Sequence, residues 1–107
     1  HYRILLVEDN KTNQETIRLL LESAGHTVVT ANNGISALHI LDQEKFFDVI
    51  LMDCQMPELD GYEAARVIRS SEKITGGHIP IIALTANAMA GAKEKCLKAG
   101  MDNYLAK

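Results

Sequence analysis

The chain has 107 residues, 47% of them hydrophobic and 23% charged, with a formal net charge of −3. That length suits one domain able to bury about two thirds of the surface its unfolded chain exposes. The composition is that of a globular chain, and no run approaches the ~18 apolar residues of a membrane span. No secretory signal pattern opens it. The dense basic cluster, Lys93, Lys95 and Lys98, is interrupted by Glu94 and reads as the solvated face of a helix, which argues against a nucleic-acid surface. Cys54 and Cys96 have no CxxC spacing, and the four histidines are scattered, so both cysteines read as reduced packing residues.

The first apolar run, Ile4-Leu5-Leu6-Val7, predicts a strand that releases Glu8 and Asp9 at its end. Ile17, Leu20, Leu21 and Ala24 then recur at helical spacing and predict a buried helix face, with Gly25 as the stop. Asp9, Thr12 or Asn13 could cap that helix, which is expected to begin near Asn13. Residues 27–31 read as a second strand, and Gly34, Ala37, Leu38 and Leu41 as a second helix. After a short loop over residues 43–47, a third strand over residues 48–53 ends in Asp53. Pro57 and Asp60-Gly61 mark a turn, and Ala64, Ala65 and Ile68 a third helix. Gly76 and Gly77 fall in the next loop, and a fourth strand from about Pro80 ends in Thr85. A helix over roughly residues 91–99 is stopped by Gly100, and a fifth strand runs to Lys107.

This β(αβ)4 alternation, with the first, third and fourth strands apolar on both faces, predicts a doubly wound α/β fold built on a five-stranded parallel sheet. Sites in such sheets form beyond the carboxyl ends of the strands. Glu8, Asp9, Asp53, Thr85 and Lys107 all occupy such ends. Several carboxylates on one edge repel one another unless cations balance them. A hard cation using oxygen ligands suits the group; Asp9, Asp53 and one backbone carbonyl would suffice for Mg2+, and Mn2+ could stand in for it. The hydroxyl of Thr85 and the ammonium of Lys107 are suited to the oxygens of a transferred phosphoryl group. Ala86 and Ala88 would leave that edge open. Taken singly, Thr85 is a strand-end residue, Lys107 a terminal lysine and Tyr104 an edge aromatic.

The ordered segments Leu6-Val7-Glu8-Asp9-Asn10, Leu51 to Pro57 followed by Asp60-Gly61, Ala83-Leu84-Thr85-Ala86 and Gly100 to Lys107 resemble the receiver domains of two-component response regulators. The wording of the later segments is similar to receivers fused to hybrid sensor histidine kinases. The resemblance implies a flavodoxin-like strand order, 2-1-3-4-5. It also implies that Asp53 accepts a phosphoryl group from a phosphohistidine on a histidine kinase or histidine phosphotransfer domain. Asp9, Asp53 and the backbone carbonyl of Gln55 would bind Mg2+, with Glu8 acting through a metal-bound water. Thr85 and Lys107 would hold phosphoryl oxygens, Thr85 and Tyr104 would switch the surface of the fourth helix and fifth strand, and Gln55 and Asn87 would tune the phosphoryl lifetime. A cytoplasmic location is implied, with the parent free to be membrane-anchored.

Family members continue past the matching lysine into a fifth helix beside the first. The sequence given stops at Lys107, so the expectation is a receiver domain over residues 1–107 truncated after the fifth strand, from a longer polypeptide or one that borrows cover from a neighbour. Homo-association through the uncovered sheet face is part of that expectation. Three rival readings are an aspartyl-phosphate phosphohydrolase, a flavodoxin-like nucleotide or flavin module and a pseudo-receiver that only binds partners. A dehalogenase-type phosphohydrolase needs a second Asp where this chain has Gln55. A phosphate-cradling module needs glycines and hydroxyls where this chain has Glu8-Asp9-Asn10-Lys11. The complete set Asp9, Asp53, Thr85 and Lys107 weighs against the pseudo-receiver.

Overall fold

A computed structural model describes residues 1–43, 47–54, 61–85 and 92–106, the side chains of residues 92, 93 and 106 excepted. Gln55, Asn87 and Lys107 lie outside the described residues, as do Ala86 and Ala88 and the turn at Pro57 and Asp60. The elements alternate as β1 (Arg3–Val7), α1 (Lys11–Ser23), β2 (Thr27–Ala31), α2 (Gly34–Gln43), β3 (Val49–Asp53), α3 (Gly61–Thr75), β4 (Ile81–Thr85), α4 (Ala92–Lys98) and β5 (Asn103–Ala106). All four strand pairings are parallel and the sheet order is β2-β1-β3-β4-β5, as the resemblance implied.

Period-two alternation splits the central strands between two cores. Leu5, Val7, Ile50, Met52, Ile81 and Ala83 face one side, where Ala37 of α2, Ala64, Ala65 and Ile68 of α3 and Cys96 of α4 complete the larger core. Ile4, Leu6, Leu51 and Leu84 face the other, against Ile17 and Leu21 of α1. Leu5, Leu6 and Ile50 are fully buried, and each such side chain contributes about 1.5–3 kcal/mol.

The first helix departs from its sequence pattern twice. It begins at Lys11, and its cap is Asn10, whose side chain accepts a hydrogen bond from the Asn13 N–H at 3.0 Å. Asn10 has the extended backbone (φ −84°, ψ 116°) that an N-cap requires, whereas Asp9 turns its carboxylate toward Glu8 and Asp53. The predicted buried face is also only partly realised. Ile17 and Leu21 are half-buried, no residue of α1 is fully buried, and Leu20 is 66% exposed. A helix packed on one side only buries a stripe narrower than its apolar set. Gly25, at φ +94°, ends the helix as expected, in a conformation favourable only to glycine.

Leu105 lies opposite Leu84 on the same sheet face and is 51% exposed. Leu20 and Leu105 are thus large apolar groups left in water on the α1 side, and such surface favours association. We expect the 107-residue chain to associate with rising concentration in sedimentation-velocity runs. The paired substitution Leu20→Gln, Leu105→Gln should return it toward monomer, and unchanged association would remove this face from consideration.

Candidate phosphoacceptor site

The site is built by strand register. Val7 pairs with Met52, so the next residue of each strand brings Glu8 beside Asp53. Asp53 pairs with Leu84, which places Thr85 one step further along the neighbouring strand, and Thr85 in turn pairs with Ala106. Backbone hydrogen bonds carry the ladder past the strand ends, from the Glu8 N–H to the Ala31 carbonyl and from the Cys54 N–H to the Leu84 carbonyl, both 3.1 Å. Glu8 and Asp53 are fully buried, Thr85 is buried, and Asp9 is exposed.

One carboxylate oxygen from each of Glu8, Asp9 and Asp53 lies within 4.8 Å of the others. A buried carboxylate loses hydration that other oxygen-seeking groups must replace, and three acids this close repel one another. Their all-oxygen donor set fits a hard divalent cation of the Mg2+ class. The loop that delivers the acids is held by side chains. The Asn10 N–H donates to Glu8 Oε1 at 3.2 Å, while Gln14 Nε2 donates to the Glu8 carbonyl at 3.1 Å and to Asn32 Oδ1 at 3.2 Å.

Of the residues singled out from sequence, Glu8, Asp9, Asp53 and Thr85 share the carboxyl edge of the sheet. Tyr104 is half-buried and packs on the larger core from β5, opposite Ala83. Lys95 and Lys98 are exposed on α4, as a solvated face requires, but the Lys95 ammonium also sits 4.5 Å from the centre of the Tyr62 ring on α3. Cys54 and Cys96 are free and buried.

Two neighbours of the site escaped sequence reasoning. Tyr62 at the start of α3 is electrostatically linked to the thiols of Cys54, the residue after Asp53, and Cys96 of α4. Burial pushes the Cys54 thiol up to about 11; Tyr62 opposes the rise, and Cys96 and the Asp53 charge add to it. Burial likewise raises the Tyr62 phenol, with Cys54 and Cys96 contributing. Both groups are therefore neutral near pH 7, so Cys54 is a packing residue and no nucleophile. Nothing in the separation of the two cysteines along the chain signals this contact.

The second is Gly61. Its N–H donates to the Cys54 carbonyl at 3.4 Å, and a Cβ there would overlap the Asp53 carbonyl oxygen and lie 3.0 Å from its carbonyl carbon and from the Cys54 Cα. The sequence marks Gly61 as a turn residue, but its need here is close approach of α3 to the strand end.

The chain matches the family model for the response regulator receiver domain over residues 4–107, and it belongs to that family. It is 47% identical over 109 residues to hybrid signal transduction histidine kinase I of Dictyostelium discoideum, covering 98% of this chain and 6% of that protein. Among solved structures it is similar to the receiver domain of a sensor histidine kinase from Pseudomonas aeruginosa PAO1, which holds a magnesium ion in its active-site cleft. There the identity is 50% and the TM-score 0.86, over 99% of this chain and 84% of that one. The receiver domain of the Saccharomyces cerevisiae response regulator Ssk1, co-crystallised with the histidine phosphotransfer protein Ypd1, is 35% identical with a TM-score of 0.93, over 99% and 78% of the two chains. The chain spans only 6–14% of the length of curated relatives it matches.

The Gly61 contact yields a direct test. Gly61→Ala must push the start of α3 off Asp53, at a cost of about 1–3 kcal/mol for such overpacking. A lowered melting temperature together with weakened Mg2+ binding by calorimetry is expected; full wild-type behaviour in both would show that the close approach is not required.

Proposed function

We propose that this chain is a phosphoryl-accepting signalling domain in which Asp53 is the acceptor. The observation that carries the reading is the meeting of Glu8, Asp9 and Asp53 at the β1 and β3 ends, with Thr85 one strand over. An Asp53 carboxylate oxygen attacks the phosphorus of a phosphohistidine; the new P–O bond forms as the P–N bond breaks, and the imidazole leaves with the bonding pair and takes up a proton. Asp9, Asp53 and the Gln55 carbonyl would hold Mg2+, and Glu8 would act through water. When bound, the ion would supply positive charge to offset that on the phosphoryl oxygens. The Thr85 hydroxyl and the Lys107 ammonium hold those oxygens, and the hydroxyl carries the state of the site to Tyr104 and hence to the α4–β5 surface. Gln55 and Asn87 tune the lifetime of the phosphoryl group.

The donor is a histidine kinase or a histidine phosphotransfer domain, in keeping with the relatives' identity as hybrid kinases and with the partner of the yeast receiver. The parent polypeptide is a hybrid histidine kinase, of which this chain is the receiver. No helix among the described residues is long and apolar enough to cross a membrane. The site faces a cytoplasmic donor, whatever anchors the parent. The phosphohydrolase reading is weaker because Gln55 stands where a second acid is needed.

Incubation with Mg2+ and acetyl phosphate, followed by intact mass measurement, tests the proposal. The wild type should gain one labile phosphoryl group only with Mg2+ present. Asp53→Asn should gain none, and Asp9→Asn should need much more Mg2+. Equal uptake by Asp53→Asn would sink the assignment, and repeated turnover of a phosphomonoester would favour the phosphohydrolase.

A further inference from the structure

At the opposite end of the sheet from the acids, one guanidinium ties three segments together. Arg69 of α3, with 15% of its side chain exposed, donates from Nε to the Gly100 carbonyl at 2.7 Å and from Nη2 to Asp102 Oδ2 at 2.7 Å. Its Nη1 donates to the Ile79 carbonyl at 2.8 Å and to Glu72 Oε1 at 2.7 Å. Glu72 Oε2 accepts from the Ile79 N–H at 2.7 Å, so the approach to β4 is gripped from both sides. Asp102 completes the clamp on β4: Oδ2 accepts from the Ile81 N–H at 2.8 Å while its own N–H donates to the Ile81 carbonyl at 2.8 Å. Gly100, at φ +100°, lies under Arg69, where a Cβ would come within 2.6 Å of the Arg69 Cγ.

The Asp102–Ile81 pair sits immediately before the β4–β5 ladder. From it the register runs Ile82 with Asn103, Ala83 with Tyr104, Leu84 with Leu105 and Thr85 with Ala106. The strand β5 has four residues and one strand neighbour, so its own ladder defines register weakly. A slip of one residue shifts a strand by about 3.3 Å and turns every side chain to the opposite face. Such a slip would move Tyr104 from the larger core to the α1 side and displace the end of β5 beside Thr85.

We propose that Arg69 and Asp102 form a register lock: positioning residues that, from the base of the sheet, set how β5 presents its far end beside Thr85 to an incoming phosphoryl group. The lock rests on the phosphoacceptor reading above. Its separate content is that it governs phosphoryl transfer and leaves cation binding alone, because Glu8, Asp9 and Asp53 belong to the β1 and β3 ends, at the opposite edge of the sheet from Arg69 and Asp102. A guanidinium fork is needed, since a lysine ammonium cannot reach the Gly100, Ile79, Glu72 and Asp102 oxygens in one plane.

The test compares the full 107-residue chain with Arg69→Lys and Asp102→Asn, reading Mg2+ affinity by calorimetry and the rate of phosphoryl uptake from acetyl phosphate at saturating Mg2+. Each variant should be slowed by about tenfold or more while its Mg2+ affinity stays within about twofold of wild type, the signature of misplaced rather than missing groups. Wild-type rates in both variants overturn the lock. So does a loss of Mg2+ affinity in step with the rate, which would mark a general structural role. A wild-type chain that takes up no phosphoryl group overturns the underlying reading instead.

Discussion

The parallel ladder between β1 and β3 is the constraint on which the site depends. It pairs Val7 with Met52, and the next residue along each strand is an acid. Two buried carboxylates then share one strand boundary, a third from Asp9 joins them, and all three oxygens fall within 4.8 Å. Such crowding costs free energy unless positive charge is brought in. The fold therefore creates the demand that a divalent cation and a cationic side chain would meet, and the same pair suits a phosphoryl group. Shifting either strand by one residue would turn its acid to the other face and dismantle the pocket.

The rest of the molecule maintains that boundary. The apolar alternation of β1, β3 and β4 is buried on both faces, so register errors would drive leucines and isoleucines into water. Gln14 and Asn10 hold the loop after β1, and Gly61 lets α3 start against the Asp53 carbonyl. The short strand β5 is less secured by burial, since Leu105 is half exposed, and it is there that the Arg69 clamp is found. Asp102 itself shows the balance of forces. Burial opposes its ionisation, but the Ile81 N–H, His78 and Arg69 outweigh that and hold its carboxyl below the ordinary aspartate range.

Element sequence and the convergence of Glu8, Asp9, Asp53 and Thr85 were legible because they follow from local signals, whereas the strand order came from the family resemblance. Apolar runs ended by polar residues announce strand ends, and a parallel sheet places those ends on one edge. The cap at Asn10 was hidden by the competing candidates Asp9, Thr12 and Asn13, all of suitable chemistry. Leu20 fits the helical period yet stays exposed, because periodicity reports an apolar stripe without saying how much of it a neighbour covers. The Cys54–Tyr62–Cys96 contact and the Arg69 clamp join residues distant in the chain, and long-range side-chain pairing leaves no periodic trace in one sequence.

The central claim is chemical: an acyl phosphate forms on Asp53. Borohydride reduces an acyl phosphate of aspartate to homoserine, which survives digestion and marks the residue that carried it. After phosphorylation in the presence of Mg2+, reduction and tandem mass spectrometry should place homoserine at position 53 and at no other aspartate. Homoserine at Asp9 instead, or a phosphate that resists borohydride on a hydroxyl or imidazole, would contradict the account.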